Sequence, residues 1–242
     1  MDSAIASRLL ALNRDFYERF GESFSATRRR IQPGVRRVLD MLKGDESILD
    51  LGCGNGELAR ALARRGHRGP YLGVDFSLPL LKDAESQPQG FSARFLQADL
   101  TRLPLAQIRS LLPGRCSLIT AFAVLHHIPS HDLRLDILQK AHKILADDGR
   151  FIISNWQFLN SPRLKARIQD WSQIGLAPED VDDNDYLLDW RSKGKGLRYV
   201  HYYSEEELSE LAKQAGLRVV ELFYSDGEGG RLSLYQIWHK VL

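Results

Sequence analysis

Three glycines and three acids carry the chemistry this sequence offers. Gly52, Gly54 and Gly56 are spaced G-x-G-x-G directly after the apolar run Ile48-Leu49-Asp50-Leu51. Glycines at such a junction let the chain turn sharply from strand to helix, and let a ligand lie against main-chain N–H groups. Asp50 sits at the strand end just before them. Asp75 closes the next apolar run, Tyr71-Leu72-Gly73-Val74-Asp75, about 20 residues past the loop, where a carboxylate reaches ribose hydroxyls. Asp99 lies at the end of a third run, Ala93 to Leu100, where it would accept from an adenine amino group while Leu100 packs on the ring. One acid at a strand end is unremarkable and can cap a helix or face solvent. Acids at three successive strand ends, the first beside the glycines, point to a nucleoside-bearing ligand.

The spacing argues against a dinucleotide. That pattern is G-x-G-x-x-G, and here the third glycine arrives one residue early. Asp50 would repel a pyrophosphate and attract a cation. S-adenosylmethionine carries a sulfonium and an ammonium and no phosphate. The stretch Leu49-Asp50-Leu51-Gly52-Cys53-Gly54-Asn55-Gly56 resembles the signature loop of the class I S-adenosylmethionine-dependent methyltransferases. The resemblance implies that the loop, including Cys53 and Asn55, holds the methionine part of the cofactor. It implies that Asp75 holds the ribose and Asp99 the adenine, with Phe76, Leu100 and Phe122 in the same cofactor-binding set.

The elements that must position these residues alternate. A helix near 34–43 leads to a strand at 47–51, helix 57–65 to strand 70–75, and helix 77–86 to strand 92–97. Strand 117–123 precedes helix 131–146, and 150–154 is a fifth strand. Asp147-Asp148-Gly149 ends the long helix, with Gly149 suited to a left-handed cap. Helix 204–215 opens on Ser204-Glu205-Glu206-Glu207, a capping box, and closes at Gly216. Strands 217–224 and 231–239 follow without a helix between them, joined by Ser225-Asp226-Gly227-Glu228-Gly229-Gly230, so the last strand runs antiparallel to its neighbour. The expected fold is α/β: a Rossmann-like, seven-stranded, mostly parallel sheet ending in an antiparallel hairpin. That is the class I methyltransferase arrangement, in a single domain over 1–242. Segments 1–33, helical, and 155–203 fall outside this core. The second starts at a strand's carboxyl end and is placed to form a lid or substrate wall. Its acids Glu179 to Asp185 lack calcium-loop spacing and read as a solvated loop.

Composition narrows the classes. The 242 residues allow one sizeable core, and no apolar run approaches the ~20 residues that cross a bilayer. Cys53 and Cys116 stand far apart, which suits reduced thiols in a cytoplasmic protein and excludes a disulfide framework or zinc site. A net charge of +2 does not by itself argue for nucleic acid. Residues 1–37, however, hold eight arginines against four acids, clustered at Arg28-Arg29-Arg30 and Arg36-Arg37, either a phosphate patch or a solvated helix face.

The acceptor side rests on other residues. His126 and His127 follow the fourth strand and are the base candidates by position; with His131 they make no metal set. Tyr17 with Phe24-Ser25-Ala26-Thr27-Arg28, Val124-Leu125-His126-His127, Asp185 to Trp190, and Arg198-Tyr199-Val200-His201-Tyr202-Tyr203 with Glu207-Leu208 resemble segments of the tRNA wobble-uridine carboxymethyl methyltransferases. Asp189 stands where that family has proline, and Val200 where it has a second tyrosine. The resemblance implies a methyl ester formed on a carboxymethyl group of tRNA. A carboxylate with an ordinary pKa near ~4 is already ionised and needs orienting cations rather than a base. Arg28 and Arg198 fit that role, Trp190, Tyr199 or Tyr202 would stack on the base, and Tyr17 would close over the cofactor. The catalytic candidates are therefore Arg28, His127, Trp190 and Arg198. Eukaryotic members of that family work with a small zinc-binding activator protein. A small-molecule O- or N-methyltransferase and a non-catalytic cofactor-binding scaffold are the competing readings.

Overall fold

The strands ILDL and YLGVD are buried at every position, as strands must be when helices cover both faces of a parallel sheet. The computed structural model describes residues 1–27, 30–86, 90–112, 114–191 and 196–241. Its strands are β1 (Ile48–Leu51), β2 (Tyr71–Asp75), β3 (Ala93–Gln97), β4 (Cys116–Phe122), β5 (Leu145–Trp156), β6 (Ile168–Gln169), β7 (Asp185–Trp190), β8 (Gly196–His201), β9 (Leu217–Ser225) and β10 (Ser233–Lys240). Seven of them form one sheet in the order β3-β2-β1-β4-β5-β10-β9. β10 runs antiparallel to both β5 and β9, and the other pairings are parallel. This is the class I methyltransferase sheet.

The helices are α1 (Ser3–Thr27), α2 (Pro33–Leu39), α3 (Glu57–Arg64), α4 (Leu78–Ala84), α5 (Leu105–Leu111), α6 (His131–Ile144), α7 (Pro162–Lys165) and α8 (Glu205–Gln214). Alternation splits β1 between two cores. Leu49 and Leu51 enter the larger cluster with Ile119, Leu138 and Phe151, whereas Ile48 joins Tyr71, Leu118 and Tyr235 on the opposite face.

Several expectations are corrected. α6 stops at Ile144, and the chain passes straight into β5. Gly149 is not left-handed. It lies in a bulged stretch where a Cβ would stand 2.7 Å from Leu145 Cδ1, so the missing side chain serves close packing instead of a helix cap. α2 ends at Leu39, four residues short of the expected 43, and α5 is an additional helix between β3 and β4. β3 ends at Gln97, which leaves Asp99 in a turn. The α8 cap is half a box: Ser204 Oγ accepts from Glu207 N at 3.1 Å, but the Glu207 carboxylate turns to His201.

Segment 155–203 folds into a second sheet, β6-β7-β8, antiparallel throughout. The acidic stretch is not wholly solvated. Asp185 is buried, and its Oδ1 accepts from Tyr199 Oη at 2.6 Å and faces His201 Nδ1 at 2.7 Å, with Arg134 Nη2 at 3.4 Å. Tyr199 is thereby committed to this network and withdrawn from base stacking. No helix among the described residues is long and apolar enough to cross a membrane.

α1 ties the two sheets together. Its buried residues Ala6, Leu9, Asn13, Phe16, Tyr17 and Phe20 recur at three and four, one stripe of a helix. At the edge of β8, Asn13 takes the place of a neighbouring strand. Its Oδ1 accepts from Tyr199 N at 2.8 Å, and its Nδ2 donates to the Tyr199 carbonyl at 3.1 Å and the His127 carbonyl at 3.0 Å. The helix then crosses the carboxyl ends of the parallel strands.

Candidate active site

The glycine loop follows from backbone needs. Gly52, Gly54 and Gly56 have φ of +68°, +54° and +74°, a region costly for other residues. Gly52 N and Cys53 N donate to the Val74 carbonyl, which locks the loop onto β2. At Gly52 a Cβ would stand 2.3 Å from Val124 Cγ2; at Gly54 it would meet nothing within 4 Å. The first glycine is thus required by packing, whereas the space beside the second is clear. Cys53 is buried, and burial holds its thiol well above the usual range. Asn55 Nδ2 donates to Ser25 Oγ at 3.0 Å, which in turn reaches Asp83 Oδ2 at 2.5 Å, fastening the loop to the end of α1 and to α4.

The three acids differ. Asp75 is buried; Oδ2 accepts from Gly54 N and Oδ1 from Ser77 N, both at 2.9 Å. Each oxygen keeps a second lone pair for a hydroxyl donor. Burial pushes its pKa up against the pull of those amides. Asp50 lies between strands, accepting from Tyr71 Oη at 2.6 Å and Thr120 Oγ1 at 2.7 Å, and its pKa rises to about 6, chiefly from burial. Its charge is unneutralised by any cation among the described residues, so a cationic ligand beside it is favoured. Asp99 Oδ1 closes a turn on Thr101 N and Oγ1, and Oδ2 pairs with Arg14 of α1 at 2.8 Å. Leu100 leans on the core at Leu51, Leu103 and Ile108. Phe122 lies half-buried, 6.1 Å from the Tyr235 ring.

Tyr17 and His127 meet over the strand ends. Tyr17 Oη lies 2.9 Å from His127 Nε2, and His127 Nδ1 lies 3.3 Å from the Tyr199 carbonyl. A carbonyl only accepts, so Nδ1 carries the proton and Nε2 accepts from the tyrosine. His127 therefore orients Tyr17, and its basic lone pair faces that hydroxyl. Tyr17 also meets Phe76 edge-on at 5.9 Å. His126 is buried behind, and burial holds its imidazole well below the ordinary range, keeping it neutral. His131 is exposed beside Asp132. Among the described residues no cluster of His, Cys, Asp or Glu could hold a metal ion.

Trp190 and Arg198 lie on one face of the small sheet, as the Leu188–Arg198 pairing requires. The Arg198 guanidinium is buried among three rings, 4.8 Å from the centroid of Trp156, 5.4 Å from Phe16 and 5.8 Å from Trp190. Sequence reasoning missed Phe16 and Trp156; only the strand–helix crossing brings them to Arg198. Arg28 lies outside the described residues. Tyr202 is half-buried and edge-on to Phe158.

These features are compatible with S-adenosylmethionine: clear space beside Gly54, a buried acid at Asp50, and unused lone pairs on Asp75. Residues 23–222 match a protein family described as methyltransferase domain. A protein of Encephalitozoon cuniculi provisionally named a methyltransferase is 32% identical over 212 residues, 85% of this chain and 87% of that one. The mouse tRNA (carboxymethyluridine(34)-5-O)-methyltransferase is 27% identical over 147 residues, 58% of this chain, which spans 19% of that enzyme's length. Among solved structures, Burkholderia thailandensis 1,6-didemethyltoxoflavin-N1-methyltransferase, with S-adenosylhomocysteine bound, superposes with a TM-score of 0.65 at 20% identity, covering 96% of this chain and 88% of that one.

Proposed function

From the premise that the chain belongs to the methyltransferase domain family and is an S-adenosylmethionine-dependent methyltransferase, we propose that it esterifies an ionised carboxylate on a planar acceptor, a carboxymethyl-type wobble uridine of tRNA. The observation that carries this reading is the buried Arg198 guanidinium walled by Phe16, Trp156 and Trp190. A fixed cation orients a carboxylate, and aromatic walls accept a flat ring.

The cofactor supplies an electrophilic methyl group on a sulfonium. The chain's own residues bind and align. Gly54 would leave room for the methionine part, Asp75 would give its free lone pairs to the ribose, and Asp50 its charge to the cationic end. Asp99, Leu100, Phe76 and Phe122 flank the nucleoside. Tyr17, held by His127, closes over it from α1. No base is needed, because the acceptor arrives ionised, which agrees with a His127 lone pair turned to Tyr17. These residues would contribute by holding the acceptor oxygen in line with the methyl group.

A small acidic metabolite is the second reading. It is favoured by α1, which crosses the cleft and is pinned at Arg14, Tyr17 and Ser25. Labelled cofactor incubated with total tRNA, and separately with a panel of small aromatic acids, decides between them. Base-labile methyl ester on tRNA supports the first reading. Label on a small acid alone overturns it.

A further inference from the structure

The strands' carboxyl ends continue, past Trp156, into a surface that the methyl-transfer site does not use. Between Gln157 and Gln169 the sequence holds Arg163, Lys165 and Arg167 and no acid. α7 packs Leu164 against the cluster of Phe158, Leu188 and Val200, which turns Arg163 and Lys165 to solvent. The β9–β10 loop joins this surface: Asn160 Nδ2 donates to the Arg231 carbonyl at 2.9 Å, and the exposed Arg231 guanidinium lies 4.5 Å from the Tyr224 ring centroid. Tyr186 and Tyr202, both half-buried, stand edge-on to Phe158 at 5.3 and 5.8 Å.

Several cations elsewhere are already taken up by acids. Arg14, Arg37, Arg65, Arg115 and Arg191 each hold a carboxylate within 2.8 Å. Among the described residues, Arg163, Lys165, Arg167 and Arg231 form no ion pair with an acid. Glu205, beside Tyr224, marks the far border. Cations left available for an outside anion, interleaved with half-exposed tyrosines, suit a chain of phosphates and flat bases.

Resting on the RNA reading above, we propose that this face, from Arg163 and Lys165 across Tyr186 and Tyr202 to Arg231, seats the backbone of a single-stranded RNA loop and leads its target base toward Arg198. The cations take phosphates, and the tyrosines take bases flanking the target. Phosphate contacts fix position and register; the carboxylate clamp at Arg198 selects the nucleotide.

The test uses a labelled RNA stem-loop with wild type and the R163E/K165E variant, read by fluorescence anisotropy over a series of salt concentrations. The variant should bind about tenfold more weakly or worse. Its salt slope should flatten by about 1.4, at ~0.7 for each single-strand phosphate no longer neutralised. Its affinity for S-adenosylhomocysteine should be unchanged, because neither residue lies at the cofactor site. A variant that binds the stem-loop as wild type does, with the same slope, overturns the docking face and leaves the RNA reading intact. A wild type that binds no RNA overturns both, as does one that binds only phosphatidylserine vesicles.

Discussion

Asp50→Asn should stabilise the protein and weaken its hold on the cofactor. Burial raises the Asp50 pKa from 3.8 to about 6. At ~1.4 kcal/mol per pH unit, holding this carboxylate ionised at neutral pH costs roughly 3 kcal/mol. The sign follows from linkage. Between pH 3.8 and about 6 the folded state holds a proton that the unfolded state has lost, so this group's stabilising contribution is full below 3.8 and is lost as pH rises through about 6. Asparagine fits the same partners, its oxygen accepting from one hydroxyl and its amide donating to the other, because Tyr71 and Thr120 can each rotate a proton. Urea unfolding followed by tryptophan fluorescence should show the variant more stable by roughly 1–3 kcal/mol at pH 7.5, with the gain shrinking toward pH 4. Calorimetry should show S-adenosylmethionine binding about tenfold weaker, about 1.4 kcal/mol. A variant less stable than wild type at pH 7.5, or one that binds the cofactor equally well, refutes the reasoning that a costly buried charge is kept for a cationic ligand.

Other substitutions probe the frame. Asn13→Ala removes the carboxamide from Tyr199 N, Tyr199 O and His127 O; stranding those groups should cost roughly 2–4 kcal/mol in urea unfolding and expose α1 to protease, whereas a loss under about 1 kcal/mol would show that α1 is seated by its apolar stripe alone. Gly54→Ala should cost only about 1 kcal/mol of stability, from its φ of +54°, while cofactor affinity falls severely; Gly52→Ala, whose Cβ meets Val124, should lose both, and equal thermal shifts for the two would contradict this. Asp185→Asn leaves the buried Arg134 guanidinium without its full countercharge and should destabilise by about 3–5 kcal/mol, as measured by unfolding at neutral pH. Tyr17→Phe removes the hydroxyl held by His127; KM for the cofactor should rise several-fold with kcat little changed, and an unchanged KM would mean that Tyr17 does not reach it.

The central sheet was legible because its strands obey a simple rule. Runs such as Ile48–Leu51 and Tyr71–Asp75 are apolar on both faces, and the hairpin at β9–β10 announces itself by an acid- and glycine-rich loop with no helix beside it. The glycine loop was legible for the same reason: a left-handed backbone at three alternate residues demands those residues. The small sheet was not. Its inward positions include Asp185 and His201, which satisfy one another instead of burying carbon, so an acid run that reads as solvated is partly a buried ion network. Gly149 misled because glycine after a helix suggests a cap, and nothing local announces the Leu145 side chain folded against it.

Position in space was harder to read. α1 is visible as a helix from its own sequence, but its seat depends on Asn13 meeting Tyr199, separated from it by 186 residues. That seat has a chemical consequence. α1 presents Arg14 to Asp99, Tyr17 to His127 and Phe16 to Arg198, the residues proposed above for nucleoside, cofactor closure and acceptor. These three contacts occupy one helical turn, so they move together. A ligand that draws Tyr17 or Arg14 inward must also fix Phe16, one wall of the arginine box. If the proposed donor and acceptor sites are right, one rigid element would join them, and cofactor binding that tightened α1 would raise affinity for the acceptor; equal acceptor affinity with and without S-adenosylhomocysteine would refute this.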